Sequence, residues 1–223
     1  MADRPGGAGL FVTFEGGEGA GKSTQIRRLR HRLEALGRKV VATREPGGSP
    51  IAESIREFLL GGEARRFGPL AETMLFAAAR ADHVANTIRP ALERGAVVLC
   101  DRFADSTRVY QGALGAVPAA TIDALEGIAM GELRPDLTLI LDVPAELGLS
   151  RAEGRRRESG EPPDRFEEES LAFHSRIREA FLAVAAGEPE RCAVVDASGT
   201  PDEVEARIWA SVQTRLPQAG KRA

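Results

Sequence analysis

The segment that decides the fold is LFVTFEGGEGAGKS, residues 10–23. It begins with a short apolar run, residues 10–14, of the kind that forms a buried strand. It then matches G-x-x-x-x-G-K-[ST] from Gly16 to Ser23, and an amphipathic helical pattern follows over residues 22–36. A strand, a glycine-rich turn and a helix in this order predict a P-loop. Its backbone N–H groups bind phosphate oxygens at the N-terminus of the helix.

The P-loop pattern assigns roles to consecutive residues. Lys22 is expected to reach the β- and γ-phosphates of ATP, and the Ser23 hydroxyl is expected to ligate the accompanying Mg²⁺. The backbone that surrounds the phosphates is formed by Gly16, Gly17, Glu18, Gly19, Ala20 and Gly21. These glycines fail the dinucleotide fingerprint G-x-G-x-x-G, because Lys22 stands at the third glycine position. A Rossmann-type dinucleotide site is therefore excluded.

Apolar runs alternate with helical patterns along the rest of the chain. Continuous apolar runs predict buried strands over residues 10–14, 39–43, 96–100, 137–143 and 192–195. Periodic patterns predict helices over residues 22–36, 51–60, 69–94, 118–130, 166–186 and 201–216. This alternation is typical of an α/β fold with a five-stranded parallel sheet and helices on both faces. We expect one domain over residues 1–223, with flexible ends at residues 1–9 and 217–223.

The composition excludes several classes of protein. Hydrophobic residues make up 43% of the chain and charged residues 28%, which excludes wholesale disorder. A net charge of −3 provides no general attraction to nucleic acid or anionic membranes, so neither is expected as a partner. The chain shows no signal peptide, and no apolar run approaches the ~18 residues of a membrane span. Cys100 and Cys192 adjoin apolar runs and are expected to be reduced core residues of a cytoplasmic protein.

A P-loop alone leaves the fate of the phosphate open. A regulatory GTPase reads guanine through an Asn-Lys-x-Asp segment, but the one asparagine of the chain, Asn86, is followed by Thr87. A large ATPase motor needs a longer chain than this. The remaining class is a small phosphotransferase, which needs a second substrate pocket and a closing lid that carries arginine.

Several further motifs resemble those of the thymidylate kinase family. Glu15 precedes the P-loop, and the other motifs follow in family order: TREPGG at 43–48, FAAARADH at 76–83, DRFADSTRVYQG at 101–112, and RPDLT at 134–138 leading into LDV at 141–143. The resemblance covers the chain from about residue 10 to residue 216. It implies a fold like that of nucleoside monophosphate kinases, with transfer of the ATP γ-phosphate to dTMP in the presence of Mg²⁺. It also implies a homodimer formed through helices near residues 69–94.

The residues themselves indicate an acceptor pocket for a pyrimidine nucleotide. Phe76 and Arg80 are four residues apart in a predicted helix, so their side chains lie on the same side. An aromatic face can stack on a pyrimidine, and a guanidinium can donate to its O4, where cytosine carries an amine instead. Arg44 and Arg102 each stand at the carboxyl end of a predicted strand, which is where ligands bind in such sheets.

The resemblance assigns further roles around this pocket. It implies that Arg44 and Arg102 hold the monophosphate of dTMP and that Ser106 and Gln111 hydrogen-bond the base. Tyr110 matches a family position that crowds the 2′ side of the sugar and so favours deoxyribose.

The resemblance also implies a set of catalytic groups. Glu18 matches a carboxylate near the 3′-hydroxyl of dTMP, and Glu15 matches one near the reacting centre. Lys22 and Arg102 are expected to place positive charge at the transferring phosphoryl, and arginines of a lid are expected to add to it.

The predicted lid spans about residues 151–165, because residues 154–165 contain glycines, prolines and charges but no apolar residue. Some members of the family carry an arginine inside the P-loop, and others have glycine there and arginines in the lid. With Gly19 in its P-loop, this chain resembles the second type, which is usual in bacteria. One of Arg155, Arg156 and Arg157 is then expected to act as an arginine finger in cis, with Arg156 and Arg157 favoured over Arg155.

The adenine side is less well marked. Arg151 lies one turn before Arg155 and could flank the adenine. Residues 196–198, after the last predicted strand, resemble the stretch that wraps adenine through its backbone.

Two other functions remain open from the sequence. A kinase for another nucleotide or for a deoxynucleoside would share the P-loop, although Arg44 and Arg102 together favour an acceptor that already bears a phosphate. A switch that only senses ATP would also share it, but such a switch would need no acceptor pocket.

Overall fold

Five parallel strands form the centre of the protein, as a computed structural model shows for residues 9–159 and 169–216. The strands are β1 (Leu10–Glu15), β2 (Val40–Arg44), β3 (Val97–Asp101), β4 (Leu137–Asp142) and β5 (Cys192–Asp196). Their order in the sheet is β2-β3-β1-β4-β5, and each neighbouring pair is parallel. The predicted five-stranded parallel sheet is confirmed, with each strand within one residue of its expected bounds.

Helices connect the strands throughout the described residues. They are α1 (Lys22–Ala35), α2 (Pro50–Leu60), α3 (Gly68–His83), α4 (Arg89–Glu93), α5 (Ala104–Thr107), α6 (Ala119–Met130), α7 (Ala145–Ser159), α8 (Leu171–Gly187) and α9 (Pro201–Gln213). A 3₁₀ segment covers Glu63–Phe67, and π-helical segments cover Val84–Ile88 and Arg108–Ala113. The part of the chain that the structure describes contains no helix with the length and apolar character needed to cross a membrane.

The helices cover both faces of the sheet, as predicted. Val12 and Phe14 of β1 are fully buried in a layer with apolar residues of α1 and α9. Phe11, which directly precedes Val12 in sequence, is buried in the opposite layer with residues of α4, β3 and α6. Because successive side chains of a strand point to opposite faces, one apolar run supplies both layers.

The register brings the carboxyl ends of three strands to one level. Arg44 of β2 and Phe14 of β1 both lie opposite Asp101 of β3. In a parallel sheet this edge collects the residues that follow each strand, here including Glu15 and the P-loop.

Three predicted helices differ from the structure by several residues, and one of them, expected over residues 201–216, ends at Gln213. The helix expected over residues 69–94 is interrupted by the π-helical segment Val84–Ile88, after which α4 begins with Pro90 in its first turn. The helix expected from residue 166 begins at Leu171, because Ser170 is extended and its side chain caps the helix by accepting from the Phe173 amide at 3.2 Å. Residues 166–168 lie outside the described part of the chain.

The predicted lid is partly helical. Helix α7 continues through Gly154 to Ser159, so Arg155, Arg156 and Arg157 lie on a helix and not in a loop. One glycine costs a helix only about 1 kcal/mol, which the surrounding helix tolerates. The remaining lid residues 160–165 and the ends expected to be flexible, residues 1–8 and 217–223, lie outside the described residues. Gly9 belongs to the fold, since its amide donates to the Leu92 carbonyl at 3.3 Å.

Candidate active site

A cavity of about 470 Å³ opens at the carboxyl ends of β1, β2 and β3. This volume is in the range of small-molecule sites. Its walls come from the P-loop, from the residues after β2 and β3, and from α2, α3 and α7. The lining residues that were expected from the sequence are Glu18, Gly19, Ala20, Gly21, Lys22, Ser23, Arg44, Phe76, Arg80, Arg102, Ser106, Tyr110, Gln111 and Arg155.

The P-loop wraps the N-terminus of α1 at one end of the cavity. The Lys22 ammonium donates to the carbonyls of Gly16 at 3.0 Å and of Gly17 at 2.9 Å. Burial and the positive charge of Arg102 lower the pKa of Lys22. Within the loop, Glu18 to Ser23 line the main cavity. Gly16 and Gly17 line a smaller cavity against α8.

Beside the P-loop, a hydroxyl and a carboxylate form a pair. The Ser23 Oγ donates to Asp101 Oδ2 at 2.7 Å, and both residues line the cavity. Oxygen ligands of this kind suit Mg²⁺, which takes few protein ligands and keeps several waters. Asp101 was not predicted as a metal ligand, because only the fold brings it next to Ser23 across 78 residues of sequence.

Two glycines let α7 pack directly against the P-loop. A Cβ on Gly19 would lie 1.8 Å from the Gly148 carbonyl oxygen, and Gly19 also has a φ of +66°. A Cβ on Gly148 would lie 2.4 Å from the Glu18 carbonyl oxygen. A side chain, including arginine, is therefore excluded at position 19 unless α7 moves. Positive charge beyond Lys22 must reach the phosphates from another element.

The far end of the cavity carries the predicted pair Phe76 and Arg80. Both lie on α3 and line the cavity, with Phe76 half-buried and Arg80 buried. Arg80 Nε donates to Glu45 Oε2 at 2.8 Å, and Nη2 donates to Thr107 Oγ1 at 3.1 Å. The guanidinium also lies 5.2 Å from the centroid of the Phe103 ring. The pair predicted from the i, i+4 spacing is thus brought together, and three groups fix its arginine.

Arg102 links the two ends of the cavity. Its φ of +65° is unusual for a residue with a side chain, a feature that clusters at functional sites. Its guanidinium donates to Glu18 Oε1 at 2.5 Å and to the Gly16 carbonyl and Ser106 Oγ at 3.2 Å each. Burial raises the pKa of Glu18, but Arg102 and Lys22 outweigh it, so the net pKa is lowered and Glu18 is a carboxylate.

Glu15 is absent from the residues that line the cavity, and its expected place near the reacting centre stays a prediction. It is fully buried behind the wall, where it accepts from the Phe103 amide at 2.8 Å and from Ser106 Oγ at 2.6 Å. Burial, and then the charge of Asp105, raise its pKa to about 7. Glu15 therefore holds the segment that carries Arg102 and Ser106.

The remaining predicted acceptor residues surround the cavity. Arg44 is exposed at the rim and pairs with Glu53 at 3.2 Å. Tyr110 and Gln111 are buried in the π-helical segment Arg108–Ala113. The Tyr110 hydroxyl lies 3.4 Å from Glu18 Oε1. Gln111 Nε2 donates to Glu72 Oε1 at 3.2 Å, which fixes the orientation of its amide.

Several lining residues were missed by the sequence analysis. They are Thr24, Glu45, Pro46, Arg56, Leu60, Asp101, Phe103 and Thr107. Arg56 reaches the cavity from α2, with its Nη1 donating to the Pro46 carbonyl at 2.7 Å. No local pattern distinguishes it from the other arginines of the chain.

The three arginines of α7 that were predicted to act from the lid are placed differently. Arg155 lines the cavity and contributes to the low pKa of Glu18, after Arg102, Lys22 and His174. Arg157 points away and pairs with Glu153 at 2.5 Å, with 75% of its side chain exposed. Arg156 and Arg157, which the sequence analysis favoured, are not among the lining residues, and which of the three arginines acts stays a prediction.

Arg151 holds α7 to the loop after β5. It donates to the carbonyls of Ala197 at 2.7 Å, Ser198 at 2.9 Å and Gly199 at 3.3 Å. Arg151 therefore lies beside the loop that was predicted to wrap adenine, and it fixes the backbone of that loop.

Comparison with known proteins gives a consistent assignment. A family model for thymidylate kinase matches residues 14–208. The thymidylate kinase of Bradyrhizobium diazoefficiens is 55% identical over 213 residues, which cover 96% of this chain and 92% of the relative. That of Nitrobacter winogradskyi is 57% identical over 207 residues, covering 93% and 89%. The crystal structure of thymidylate kinase from Ehrlichia chaffeensis is similar with a TM-score of 0.74 and 31% identity, covering 92% of this chain and 100% of that one.

Proposed function

The chain belongs to the thymidylate kinase family, and from this premise we propose which of its residues bind each substrate and which assist the transfer. The enzyme phosphorylates dTMP to dTDP with ATP as the phosphoryl donor, a step in the synthesis of dTTP for DNA. The observation that carries the residue assignment is one continuous cavity with a P-loop at one end and the pair Phe76 and Arg80 at the other.

The P-loop binds the phosphates of ATP. The loop lies at the N-terminal end of α1, where free backbone N–H groups and the partial positive charge of the helix favour anions. The Lys22 ammonium lies within 3.0 Å of loop carbonyls at this end of the cavity, a position from which its side chain can turn to the β- and γ-phosphates.

Ser23 and Asp101 are the residues that fit Mg²⁺. Their oxygens lie side by side next to the P-loop and supply the hard ligands that this cation prefers. A Mg²⁺ ion held there would offset the negative charge that develops on the phosphates during transfer.

The acceptor nucleotide binds at the other end. Phe76 stacks on the pyrimidine, and Arg80 donates to the O4 of thymine while Gln111 contacts the base edge. Tyr110 closes the 2′ side of the sugar, which favours deoxyribose. Arg102 binds the monophosphate between the two ends of the cavity.

Arg44 and Glu18 complete the acceptor side. Arg44 reaches the monophosphate from the rim, opposite Arg102. Glu18 is an ionised carboxylate that lies against Arg102 and Tyr110, close to where the sugar 3′-hydroxyl would sit.

The transfer itself needs charge stabilisation and positioning. An oxygen of the dTMP phosphate attacks the γ-phosphorus while the bond to the β–γ bridging oxygen breaks, and that oxygen leaves with ADP. Lys22, Arg102 and Arg155 place positive charge around the transferring group. No covalent enzyme intermediate is required.

We propose that the protein is a homodimer that uses α3. Phe67, Leu70 and Met74 are 48–56% exposed, and Ile128 of the adjacent α6 is 81% exposed. Exposed apolar side chains on neighbouring helices are typical of an interface. Light scattering of the purified protein should give twice the chain mass, and Met74→Glu should shift that mass toward the monomer.

We further propose that the enzyme works in the cytoplasm. Its substrates belong to nucleotide metabolism, and both cysteines are free thiols, which suits a reducing compartment.

The assignment is tested by ADP release with Mg-ATP across a panel of nucleoside monophosphates. dTMP should support turnover, and cytidine and purine monophosphates should support little. Lys22→Ala should lower kcat by several orders of magnitude with an unchanged melting temperature, because positive charge at the transferring phosphoryl is lost.

Lys39→Ala is a matched control, since Lys39 is an exposed lysine outside the cavity. Equal turnover of Lys22→Ala and Lys39→Ala would remove the P-loop from the mechanism. Preference for another monophosphate would overturn the acceptor assignment, and an ATP-binding protein with no acceptor turnover would be a switch.

A further inference from the structure

Glu45 lies behind the acceptor end of the cavity, and both of its carboxylate oxygens are occupied. Oε2 accepts from Arg80 Nε at 2.8 Å, and Oε1 lies 3.0 Å from His83 Nδ1. Glu45 is 6% exposed, Arg80 2% and His83 0%. Because these groups are out of contact with bulk water, each depends on the others for its hydrogen bonds.

The contacts determine which nitrogen of His83 carries a proton. A carboxylate only accepts hydrogen bonds, so Nδ1 must be the donor to Glu45. Nε2 lies 2.7 Å from Thr43 Oγ1, and the threonine hydroxyl can donate to it. Both ring nitrogens of His83 therefore have partners, and the ring has one orientation that satisfies them.

The loop after β2 closes over the His83 ring. A Cβ on Gly48 would lie 2.3 Å from His83 Nε2 and 2.4 Å from Thr43 Oγ1, and Gly48 has a φ of +85°. The Glu45 amide donates to the Asp101 carbonyl at 2.9 Å, which anchors the start of this loop to β3. The loop thus packs closely on the ring, whose orientation is set by its contacts with Glu45 and Thr43.

Arg80 is fixed by this arrangement but retains donors for a ligand. Its Nε is paired with Glu45 and its Nη2 with Thr107, while Nη1 makes no hydrogen bond within residues 9–159 and 169–216. The direction of the Nη1 donor is therefore set by the two hydrogen bonds that the other nitrogens of the planar guanidinium make. A rotation of Glu45 would turn the whole guanidinium and move Nη1.

We propose that His83 and Glu45 are positioning residues for acceptor recognition, acting through Arg80. The His83 Nδ1–H group fixes the carboxylate of Glu45, and that carboxylate fixes the donor of Arg80 that reads the base. This inference rests on the proposed role of Arg80. It adds two residues that contact no substrate atom but set the strength of the hydrogen bond from Arg80 to the O4 of thymine.

The test compares His83→Asn with His83→Gln. An asparagine amide can occupy the position of Nδ1 and donate to Glu45, whereas a glutamine amide reaches the position of Nε2 and leaves Oε1 of Glu45 without a donor. His83→Gln should raise KM for dTMP roughly tenfold, the scale of one buried group left unsatisfied, with KM for ATP unchanged. His83→Asn should stay within about threefold of the parent enzyme.

Two further measurements separate the possible outcomes. They are the melting temperatures of both His83 variants and the KM for dTMP of His83→Gln combined with Arg80→Ala. If His83 acts through Arg80, His83→Gln should add little to the effect of Arg80→Ala. An additive effect, or equal KM values in the two His83 variants with lower melting temperatures, would show that the histidine is only structural. If Arg80→Ala itself leaves KM for dTMP unchanged, the proposed acceptor role of Arg80 fails. If only Arg80→Ala raises that KM, the role of Arg80 stands and the positioning inference fails.

Discussion

Two groups of arginines meet at the cavity, and the protein holds them in opposite ways. On the acceptor side, Arg80 and Arg102 have side chains only 2% and 19% exposed; Arg80 pairs with the buried Glu45, and Arg102 pairs with Glu18, whose side chain is 14% exposed. On α7, Arg155 and Arg157 are exposed, and the ion pair of Arg157 is with Glu153 on the same helix. Fixed arginines suit a ligand of constant shape, because little conformational freedom is lost when it binds.

The α7 arginines suit a different task. An exposed guanidinium in water interacts weakly with neighbouring charges, so it contributes little to the binding of the substrates. Its effect grows when negative charge accumulates close to it during the reaction. The phosphoryl group in transfer provides that charge. We therefore expect the acceptor arginines to act mainly on KM for dTMP and Arg155 to act mainly on kcat.

Among the variants that test this comparison of the two groups of arginines, the largest effect is expected from Arg155→Ala. Arg155 is the α7 arginine that lines the cavity, so its loss should lower kcat by roughly 10³ with little change in KM for dTMP. Arg157→Ala is the matched control, since Arg157 is on the same helix and pairs away from the cavity. Steady-state kinetics of both variants measure the difference. A larger loss in Arg157→Ala would mean that the closed enzyme uses another arginine than the structure indicates.

A smaller effect is expected from Arg80→Ala. Removing the guanidinium leaves Glu45 buried without its partner and the base without its donor, so dTMP binding should weaken by about 1–3 kcal/mol. Calorimetric titration should show unchanged ATP affinity. Loss of ATP binding with normal dTMP binding would show that ATP binds at the end of the cavity that carries Arg80. The assignment of Arg80 to the acceptor side would then be wrong.

Gly148→Ala tests whether α7 must lie directly on the P-loop. The added methyl group would meet the Glu18 carbonyl oxygen at 2.4 Å, so α7 has to shift and carry Arg155 with it. We expect kcat to fall about tenfold, since small displacements of a charge at the reacting group are costly. KM for dTMP should change little.

Gly154→Ala provides the control on the same helix. A Cβ at Gly154 would meet nothing within 4 Å, so kcat should be retained and the helix stabilised by about 0.5–1 kcal/mol. If both alanine variants kept full activity, the contact between Gly19 and Gly148 would have no part in placing Arg155.

The sheet could be predicted from the sequence because its strands are buried on both faces and appear as continuous apolar runs. The P-loop could be predicted because its glycines, Lys22 and Ser23 are contiguous in sequence. Phe76 and Arg80 could be paired because four residues make one helical turn. In each case the evidence lies within a few residues of sequence.

The parts that could not be predicted depend on contacts between distant segments. Ser23 and Asp101 are 78 residues apart, and Glu45 and His83 are 38 apart. The π-helical segment Arg108–Ala113, which carries Tyr110, has no distinct periodicity over so few residues. Helix α7 was not predicted, and its place depends on distant contacts, since Gly148 packs on the P-loop and Arg151 holds the helix to the loop after β5.

The last prediction concerns Glu15, the buried carboxyl that holds the segment of Arg102, and the folding free energy that its burial costs. Burial, and then Asp105, raise the pKa of Glu15 from 4.5 to about 7, so the folded protein binds a proton that the unfolded chain releases between these values. The free energy of unfolding should therefore fall as pH rises from about 5 to 8, by up to about 3 kcal/mol for a shift of this size. Glu15→Gln cannot ionise, so its free energy of unfolding should lack this part of the decline. Urea denaturation at pH 5, 6, 7 and 8 measures both slopes, and Glu132→Gln, at an exposed position, should keep the parental slope. Equal slopes in the parent and Glu15→Gln would mean that Glu15 stays ionised, stabilised by Arg102, Ser106 and the Phe103 amide, and that holding the acceptor arginines carries no such cost.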